Sequence, residues 1–198
     1  MTQPPRPPEV DAKITLRAAM KARRAAISAD VRAQAAVRIA AMGLDWLMPA
    51  KRATVSGFLS IGDELDTAPL LAALHGAGHP LCLPVMQGRD RPLLFRAWAP
   101  GDALATVIWG IREPEPRQPA LEPGVLLVPL LAVDVQGFRL GYGGGYYDRT
   151  LRTLRLKKLI VAIGLGLDEQ VVDAVPHLDY DERLDWVLTP SGPRRCAH

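Results

Sequence analysis

Apolar residues in the first quarter of the chain recur at near-helical spacing among basic ones. The residues that set this pattern are Ile14, Leu16, Met20 and Ile27. The pattern predicts a helix from near Asp11 to residue 26. Ser28 and Asp30 have side chains that favour a helix N-cap, so a second helix is predicted from there to about Leu47. The front quarter is therefore predicted to be an α-hairpin.

Beyond residue 51 the pattern changes to short apolar runs. Several are nearly continuous in Val, Ile and Leu, which is typical of strands covered on both faces. The runs lie at 54–59, 80–85, 93–98, 125–131, 159–165 and 186–188. Helical patterns lie between them at 67–75, 145–156 and 168–174, and the proline- and glutamate-rich stretch 113–124 is predicted to be a surface loop. This alternation predicts an α/β fold, a three-layer α/β/α single domain with a mostly parallel sheet, preceded by the N-terminal α-hairpin.

Composition refines the domain organisation. Residues 1–10 are rich in proline and polar groups, and we expect them to form a flexible arm. The 198 residues are 48% hydrophobic and 23% charged, which is sufficient for one buried core. We therefore expect a single domain over residues 11–190, followed by a C-terminal tail at 191–198.

Charge and hydropathy argue against several classes of protein. No window approaches the ~18 uninterrupted apolar residues of a membrane span, and residues 1–13 contain no apolar run that could serve as a signal peptide. Cys82 and Cys196 lack metal-ligand spacing. The net charge of +3 is too small to imply nucleic acid. We expect a cytoplasmic protein, a monomer or weak homodimer, with no membrane and no nucleic-acid partner.

The segment most suggestive of chemistry is Arg139-Leu-Gly-Tyr-Gly-Gly-Gly-Tyr-Tyr-Asp148, which follows the apolar run Val128-Pro-Leu-Leu-Ala-Val-Asp134. A strand, a glycine-rich loop and a helix are predicted in succession. The glycines permit positive φ and let backbone N–H groups approach an anion closely, and the helix N-terminus adds partial positive charge. The segment is therefore predicted to bind phosphate.

Side chains beside the glycines support this interpretation. Arg139 offers a charged, forked donor set for a phosphate, and Asp148 offers an oxygen ligand for Mg²⁺. Tyr146 and Tyr147 are suited to hold a planar ring. The alternative is a turn with a purely structural role, which the flanking arginine, tyrosines and aspartate make the weaker interpretation. The loop matches neither the nucleotide loop ending in Lys-Ser/Thr nor the Gly-x-Gly-x-x-Gly spacing.

The same segment closely resembles the signature of the 5-formyltetrahydrofolate cyclo-ligases, also called methenyltetrahydrofolate synthetases. Lys13-Ile-Thr-Leu-Arg17 resembles the Lys-x-x-x-Arg of that family, whose two cations meet the nucleotide and share one helical face at this spacing. The resemblance implies that Lys13, Arg17 and Arg139 are catalytic. It also implies that ATP contacts Lys13, Arg17, Arg139, Leu140, Gly141, Tyr142, Gly143, Gly144, Gly145, Tyr146 and Tyr147.

Two further stretches extend the resemblance over nearly the whole chain. Residues 58–67 resemble the family's folate-binding strand end, which implies that Leu59 lines a pterin pocket and Glu64 hydrogen-bonds the pterin, with Tyr147 as a further substrate contact. Residues 164–170 and 175–185 resemble the closing segment of the family, in which an aspartate five residues after a proline maps onto Asp181. The resemblance implies that Asp148 and Asp181 hold Mg²⁺.

The chain departs from the family pattern at two places. Many members have a glutamate and a histidine between that proline and the aspartate, where this chain reads Pro-His-Leu-Asp-Tyr-Asp at 176–181. Some members have a lysine in the glycine loop at the position of Gly144. With glycine at position 144, this chain lacks one possible phosphate-binding cation but retains Arg139 and the backbone N–H groups.

The resemblance implies a reaction in which ATP phosphorylates the formyl oxygen on N5 of a reduced folate. Attack by N10 and loss of phosphate then give 5,10-methenyltetrahydrofolate, with Mg²⁺ as cofactor. One alternative is an ATP-dependent ligase or kinase that uses the same scaffold on a different small acid, and Leu59, Glu64 and Tyr147 would discriminate the two. A second is an RNA-binding module, which the small charge excess and the lack of an RNA-binding signature disfavour.

Overall fold

A computed structural model of the chain describes residues 7–47, 53–107 and 110–197. The helices are α1 (Pro8–Ala25), α2 (Ala29–Met42), α3 (Ala68–Gly76) and α4 (Tyr146–Arg155). The strands are β1 (Val55–Ser56), β2 (Leu81–Val85), β3 (Leu94–Ala97), β4 (Leu104–Thr106), β5 (Arg112–Pro114), β6 (Val125–Pro129), β7 (Ala132–Val133), β8 (Arg139–Leu140), β9 (Val161–Leu165), β10 (Trp186–Thr189) and β11 (Gly192–Arg195). None of the described helices has the length and apolar character needed to cross a membrane.

Seven of the strands form the central sheet, in the order β11-β10-β9-β6-β1-β2-β3. The inner strands from β10 to β2 run parallel, and β11 and β3 pair antiparallel at the two edges. The strand order reverses between β1 and β6, because the chain runs outward from β1 to β2 on one side and from β6 to β9 and β10 on the other. Ligands of open α/β sheets bind beyond the carboxyl ends of the strands at such a reversal.

Helices cover both faces of this sheet. Alternate residues of a strand face opposite layers, and Leu127 of β6 lies in a cluster with Leu71 of α3, whereas Leu126 lies in another with Leu151 of α4. The first cluster also contains the buried face of α2. The predicted three-layer α/β/α fold with a mostly parallel sheet is therefore confirmed, and the central strand is buried on both sides as its apolar run indicated.

The two N-terminal helices form as predicted but pack in different places. The Ser28 hydroxyl accepts the Val31 N–H at 3.3 Å and caps α2, which packs on the sheet. Met20 of α1 instead packs against Leu131 and Phe138 around the β7–β8 hairpin, which follows β6. Helix α1 therefore lies beside the carboxyl ends of the parallel strands, and its basic residues are brought there.

Helix ends differ from the prediction for local reasons. Helix α1 begins at Pro8 rather than near Asp11, because proline is suited to the first helical turn and Glu9 and Asp11 favour it electrostatically. Residues 8–10 are thus helical and not part of an arm, and the rest of the predicted arm, 1–6, lies outside the described residues. Helix α2 ends at Met42 rather than near Leu47, because Gly43 has a φ of +53°.

Three other segments also differ from the prediction. The helix predicted at 168–174 is only a 3₁₀ turn at Asp168–Gln170, because the Gln170 amide bonds the Leu167 N–H at 2.9 Å and the Leu130 carbonyl at 2.8 Å and fixes the turn to the end of β6. The predicted loop at 113–124 begins within β5, which pairs with β4. The predicted tail contains β11, because Gly192 has a φ of +114° and turns the chain back along β10.

Candidate active site

The glycine loop, residues 141–145, joins β8 to α4 beside the carboxyl ends of the parallel strands. Of its glycines, Gly143 has a φ of +100° and Gly145 a φ of +63°, whereas Gly141 and Gly144 have ordinary φ values. Gly145 is the N-cap of α4, and no described side chain caps that end. The first N–H groups of α4 are therefore available to an anion.

Helix α1 brings two cations to this loop from one face, at the predicted spacing. Lys13 forms an ion pair with Asp181 although Lys13 is only 8% exposed. Arg17 donates its Nε–H to the Gly141 carbonyl at 2.9 Å. The structure therefore places Arg17 at the loop and Lys13 at Asp181, so that each cation has a partner from another part of the chain.

Arg139 connects the loop to the turn at residues 178–182. Its Nη1 donates to the Glu182 carbonyl at 2.8 Å, and its Nη2 donates to Asp148 Oδ1 at 3.0 Å. The same oxygen of Asp148 accepts the Glu182 N–H at 3.1 Å. Asp181, which precedes Glu182, accepts the Leu178 N–H at 2.6 Å and forms the ion pair with Lys13. The two carboxylates predicted to bind Mg²⁺ are thus brought to one turn.

A narrow cleft opens where β1, β6 and β9 end. Its apolar lining includes Phe58, Leu65, Pro129 and Leu165, and its charged residues are Arg24 and Glu64. Leu59, half-buried, directly follows Phe58 at this strand end. The cleft lies at the reversal of strand order, where the fold predicts ligand binding.

Glu64 connects this cleft to the glycine loop. Its Oε2 accepts the Ile61 N–H at 2.9 Å, and its Oε1 accepts the Tyr142 hydroxyl at 2.5 Å. Burial of the phenol and its hydrogen bond to Glu64 raise the pKa of Tyr142, so that the hydroxyl stays protonated as a donor. Tyr142, predicted only to contact ATP, therefore covers the carboxylate that the resemblance assigns to the pterin.

Comparison with known proteins agrees with this geometry. The sequence model of the 5-formyltetrahydrofolate cyclo-ligase family matches residues 9–190. The chain belongs to this family. It is thus an enzyme, a ligase of folate metabolism, as the sequence resemblance predicted.

Individual members of the cyclo-ligase family are similar over most of their length. The Escherichia coli K12 5-formyltetrahydrofolate cyclo-ligase is 39% identical over 143 residues, 70% of this chain and 78% of that protein. The Mycolicibacterium smegmatis enzyme is 35% identical over 145 residues, 69% of this chain and 73% of that one. The NMR structure of Aquifex aeolicus 5,10-methenyltetrahydrofolate synthetase superposes with a TM-score of 0.77 at 26% identity, covering 94% of this chain and 93% of the other.

The chemistry of the Asp148 and Asp181 carboxylates is compatible with a Mg²⁺ ion. Among the described residues there is no group of three or more His, Cys, Asp or Glu side chains that could hold a metal by themselves. Mg²⁺ needs less than that, because it keeps several waters and is usually held by one or two carboxylates and substrate phosphates. Asp148 and Asp181 provide that number of hard oxygen donors at one turn.

Sequence reasoning missed Arg24 and Asp63. Arg24 is 4% exposed and donates its Nε–H to Asp63 Oδ1 at 3.0 Å. Burial by itself would lower the pKa of Arg24, but Asp63 and the Tyr142 hydroxyl, both beside the guanidinium, raise it overall. A signal was present, because Arg24 follows Arg17 by seven residues and so lies on the same face of α1.

The two tyrosines after the loop have different surroundings. The guanidinium of Arg149 lies over the Tyr146 ring, 5.3 Å from its centroid. Tyr147 packs against the core cluster beneath α4, and burial raises the pKa of its hydroxyl, which has no hydrogen-bond partner among the described residues. The Tyr147 ring is therefore held against the core, and its predicted contacts with ATP and the substrate stay predictions.

Proposed function

We propose that this enzyme converts 5-formyltetrahydrofolate to 5,10-methenyltetrahydrofolate with ATP and Mg²⁺. The γ-phosphoryl group passes from ATP to the formyl oxygen on N5, and ADP leaves. N10 then attacks the activated formyl carbon, and the carbon–oxygen bond breaks to release phosphate. ATP thus converts a poor oxygen leaving group into a good one.

The observation that carries the proposal is the convergence of three cations on the glycine loop and on the carboxylates of Asp148 and Asp181. Arg17 reaches the Gly141 carbonyl, Lys13 reaches Asp181, and Arg139 reaches Asp148. The uncapped N-terminus of α4 lies at the end of the same loop. These groups are positively charged donors that come from separate parts of the chain, which is the arrangement that phosphoryl transfer requires.

Each cation exchanges its partner when the nucleotide binds. In the structure Lys13 and Arg139 neutralise Asp181 and Asp148. On the proposed function, phosphate oxygens accept from these cations and from the loop N–H groups, while the carboxylates become available to Mg²⁺. When bound, the Mg²⁺ ion supplies neutralisation of phosphate charge. The work of the chain's own residues is alignment of the two substrates.

The reduced folate is proposed to occupy the cleft next to this loop. Leu59 and the apolar lining would bury one face of its heterocycle, and Glu64 would accept hydrogen bonds from the ring N–H groups once Tyr142 moves away. Tyr142 of the loop bonds Glu64 of the cleft, so on this proposal the formyl oxygen and the γ-phosphate come within reach of each other.

The direct test is to mix the protein with MgATP and 5-formyltetrahydrofolate and follow the methenyl chromophore in the near ultraviolet. We expect absorbance to rise only when all three are present, with one ADP formed per product. Omission of ATP, and replacement of ATP by a non-hydrolysable analogue, are the controls. If 5-formyltetrahydrofolate gives no product while another small acid stimulates ATP hydrolysis, the rival ligase or kinase function is correct instead.

A further inference from the structure

Arg24 is held inside the protein by hydrogen bonds from one edge of its guanidinium group. Its Nε and Nη2 both donate to Asp63 Oδ1. Its Nη1 lies 3.8 Å from Glu64 Oε1, which is too far for a hydrogen bond. Nη1 is fully buried and has no hydrogen-bond partner among the described residues. The guanidinium therefore has unused N–H donors on the side nearest Glu64.

A structural role explains only part of this arrangement. The bonds to Asp63 fix the loop that follows β1, and a guanidinium with no other duty would be expected to have its remaining donors bonded or in water. A buried charged donor without a partner is costly, and native proteins seldom leave one. Nη1 has Glu64 as an ion-pair partner but no hydrogen bond, and the link to Asp63 does not explain that.

The surroundings of Nη1 indicate where its partner comes from. Arg24 and Glu64 are the charged residues in the lining of the cleft, and their side chains are only 5% and 7% exposed. Tyr142 lies over both, because its hydroxyl bonds Glu64 and its ring centroid is 5.8 Å from the Arg24 Cζ. A flat ring with one polar atom, the Tyr142 hydroxyl, thus lies at this position.

We infer that Arg24 is a substrate-binding residue whose Nη1 donates to the ring carbonyl of the folate heterocycle. The inference rests on the proposed function and extends it to a residue outside the family resemblance. The edge of a pterin presents two N–H donors followed by a carbonyl acceptor. Glu64 is an acceptor for the donors, and Arg24 beside it supplies the donor that the carbonyl needs. The pair thus selects a 4-oxo heterocycle and fixes its orientation.

The test compares Arg24→Lys with Asp63→Asn. Lysine retains the charge but cannot bond Asp63 and the substrate at the same time, whereas Asp63→Asn removes the structural ion pair and leaves Nη1 in place.

We expect Arg24→Lys to raise the KM for 5-formyltetrahydrofolate by about tenfold or more, the effect of losing one charged hydrogen bond. The KM for MgATP should stay unchanged, and Asp63→Asn should raise the folate KM much less. Equal folate KM values in the two variants would show that Arg24 acts only through Asp63 and would overturn the inference.

A change in the ligand tests the same bond without relying on the variant's stability. Binding of a reduced folate and of its 4-amino analogue, which lacks the ring carbonyl, is measured by calorimetry. We expect wild type to prefer the 4-oxo compound and Arg24→Lys to lose that preference. If wild type binds both alike, or if folded Arg24→Lys keeps the preference, the inference fails while methenyl formation by wild type still supports the proposed function. Absence of methenyl product from wild type would instead refute the proposed function, and the inference with it.

Discussion

At the scale of single residues, the guanidinium of Arg139 is the cation most completely enclosed within the proposed phosphate site. We expect Arg139→Ala to lower kcat by about 10²–10³, as the loss of one preorganised donor does elsewhere. The rate of methenyl formation at saturating substrates measures this, and a thermal melt followed by circular dichroism checks that the variant is folded. A folded variant within about threefold of the wild-type rate would remove Arg139 from the proposed mechanism.

Asp148 gives the residue-scale prediction for the metal. We expect Asp148→Asn to shift the Mg²⁺ titration of the initial rate to higher concentration, because an amide oxygen is a weaker ligand than a carboxylate. Glu122→Gln is the matched control, since Glu122 is an exposed carboxylate that also pairs with a cation, Lys157. If both variants titrate like wild type, Asp148 is not a magnesium ligand.

Some residue positions could be predicted from sequence and others could not. The assignment of Lys13 and Arg17 follows from the family resemblance, and the structure places Arg17 at the loop and Lys13 at Asp181. Arg24 was passed over because a charged helix residue is ordinarily solvated, and its burial depends on Asp63, which is distant in sequence. Tyr147 packs, partly buried, against the core cluster beneath α4, and its predicted contact with a ligand stays a prediction.

At the scale of elements, the glycine loop depends on the backbone conformation of particular glycines. Gly145 has a φ of +63°, and an added Cβ would lie 2.7 Å from the Arg149 Nη1, whereas a Cβ on Gly141 would meet nothing within 4 Å. We therefore expect Gly145→Ala to lower the free energy of unfolding by about 1–2 kcal/mol, while Gly141→Ala changes it little. Urea denaturation measures both, and equal stability of the two variants would contradict the loop conformation.

The elements that sequence predicted well are those whose burial is encoded by a local pattern. The continuous apolar run at 125–131 became a strand covered on both faces, and Ser28 became the cap of α2. The failures involve partners far along the chain. Gln170 converts a helical pattern into a short turn by bonding the end of β6, and β11 forms because β10 offers it a free edge. No local pattern contains that information.

At the scale of the whole molecule, burial of both cysteines makes them a probe of the folded state. Cys82 and Cys196 are free, and burial raises the pKa of their thiols to about 12 and about 11. Since only the thiolate reacts, and raised pKa values keep both groups protonated at pH 8, we expect almost no reaction with an aromatic disulfide reagent until the protein unfolds. Two thiols per chain should then react in denaturant. Rapid labelling of native protein would show that the described packing is wrong.

The sheet's reversal of strand order places the glycine loop and the cleft side by side, and Tyr142 of the loop bonds Glu64 of the cleft. Its backbone lies in the loop proposed to bind the nucleotide, and its hydroxyl donates to Glu64, the carboxylate proposed to bind the folate. On these assignments one loop movement serves two ligands. Thermodynamic linkage then requires that whatever factor the nucleotide adds to folate affinity, the folate adds to nucleotide affinity. Movement of Tyr142 alone would then make binding of the two substrates cooperative, although each occupies its own site.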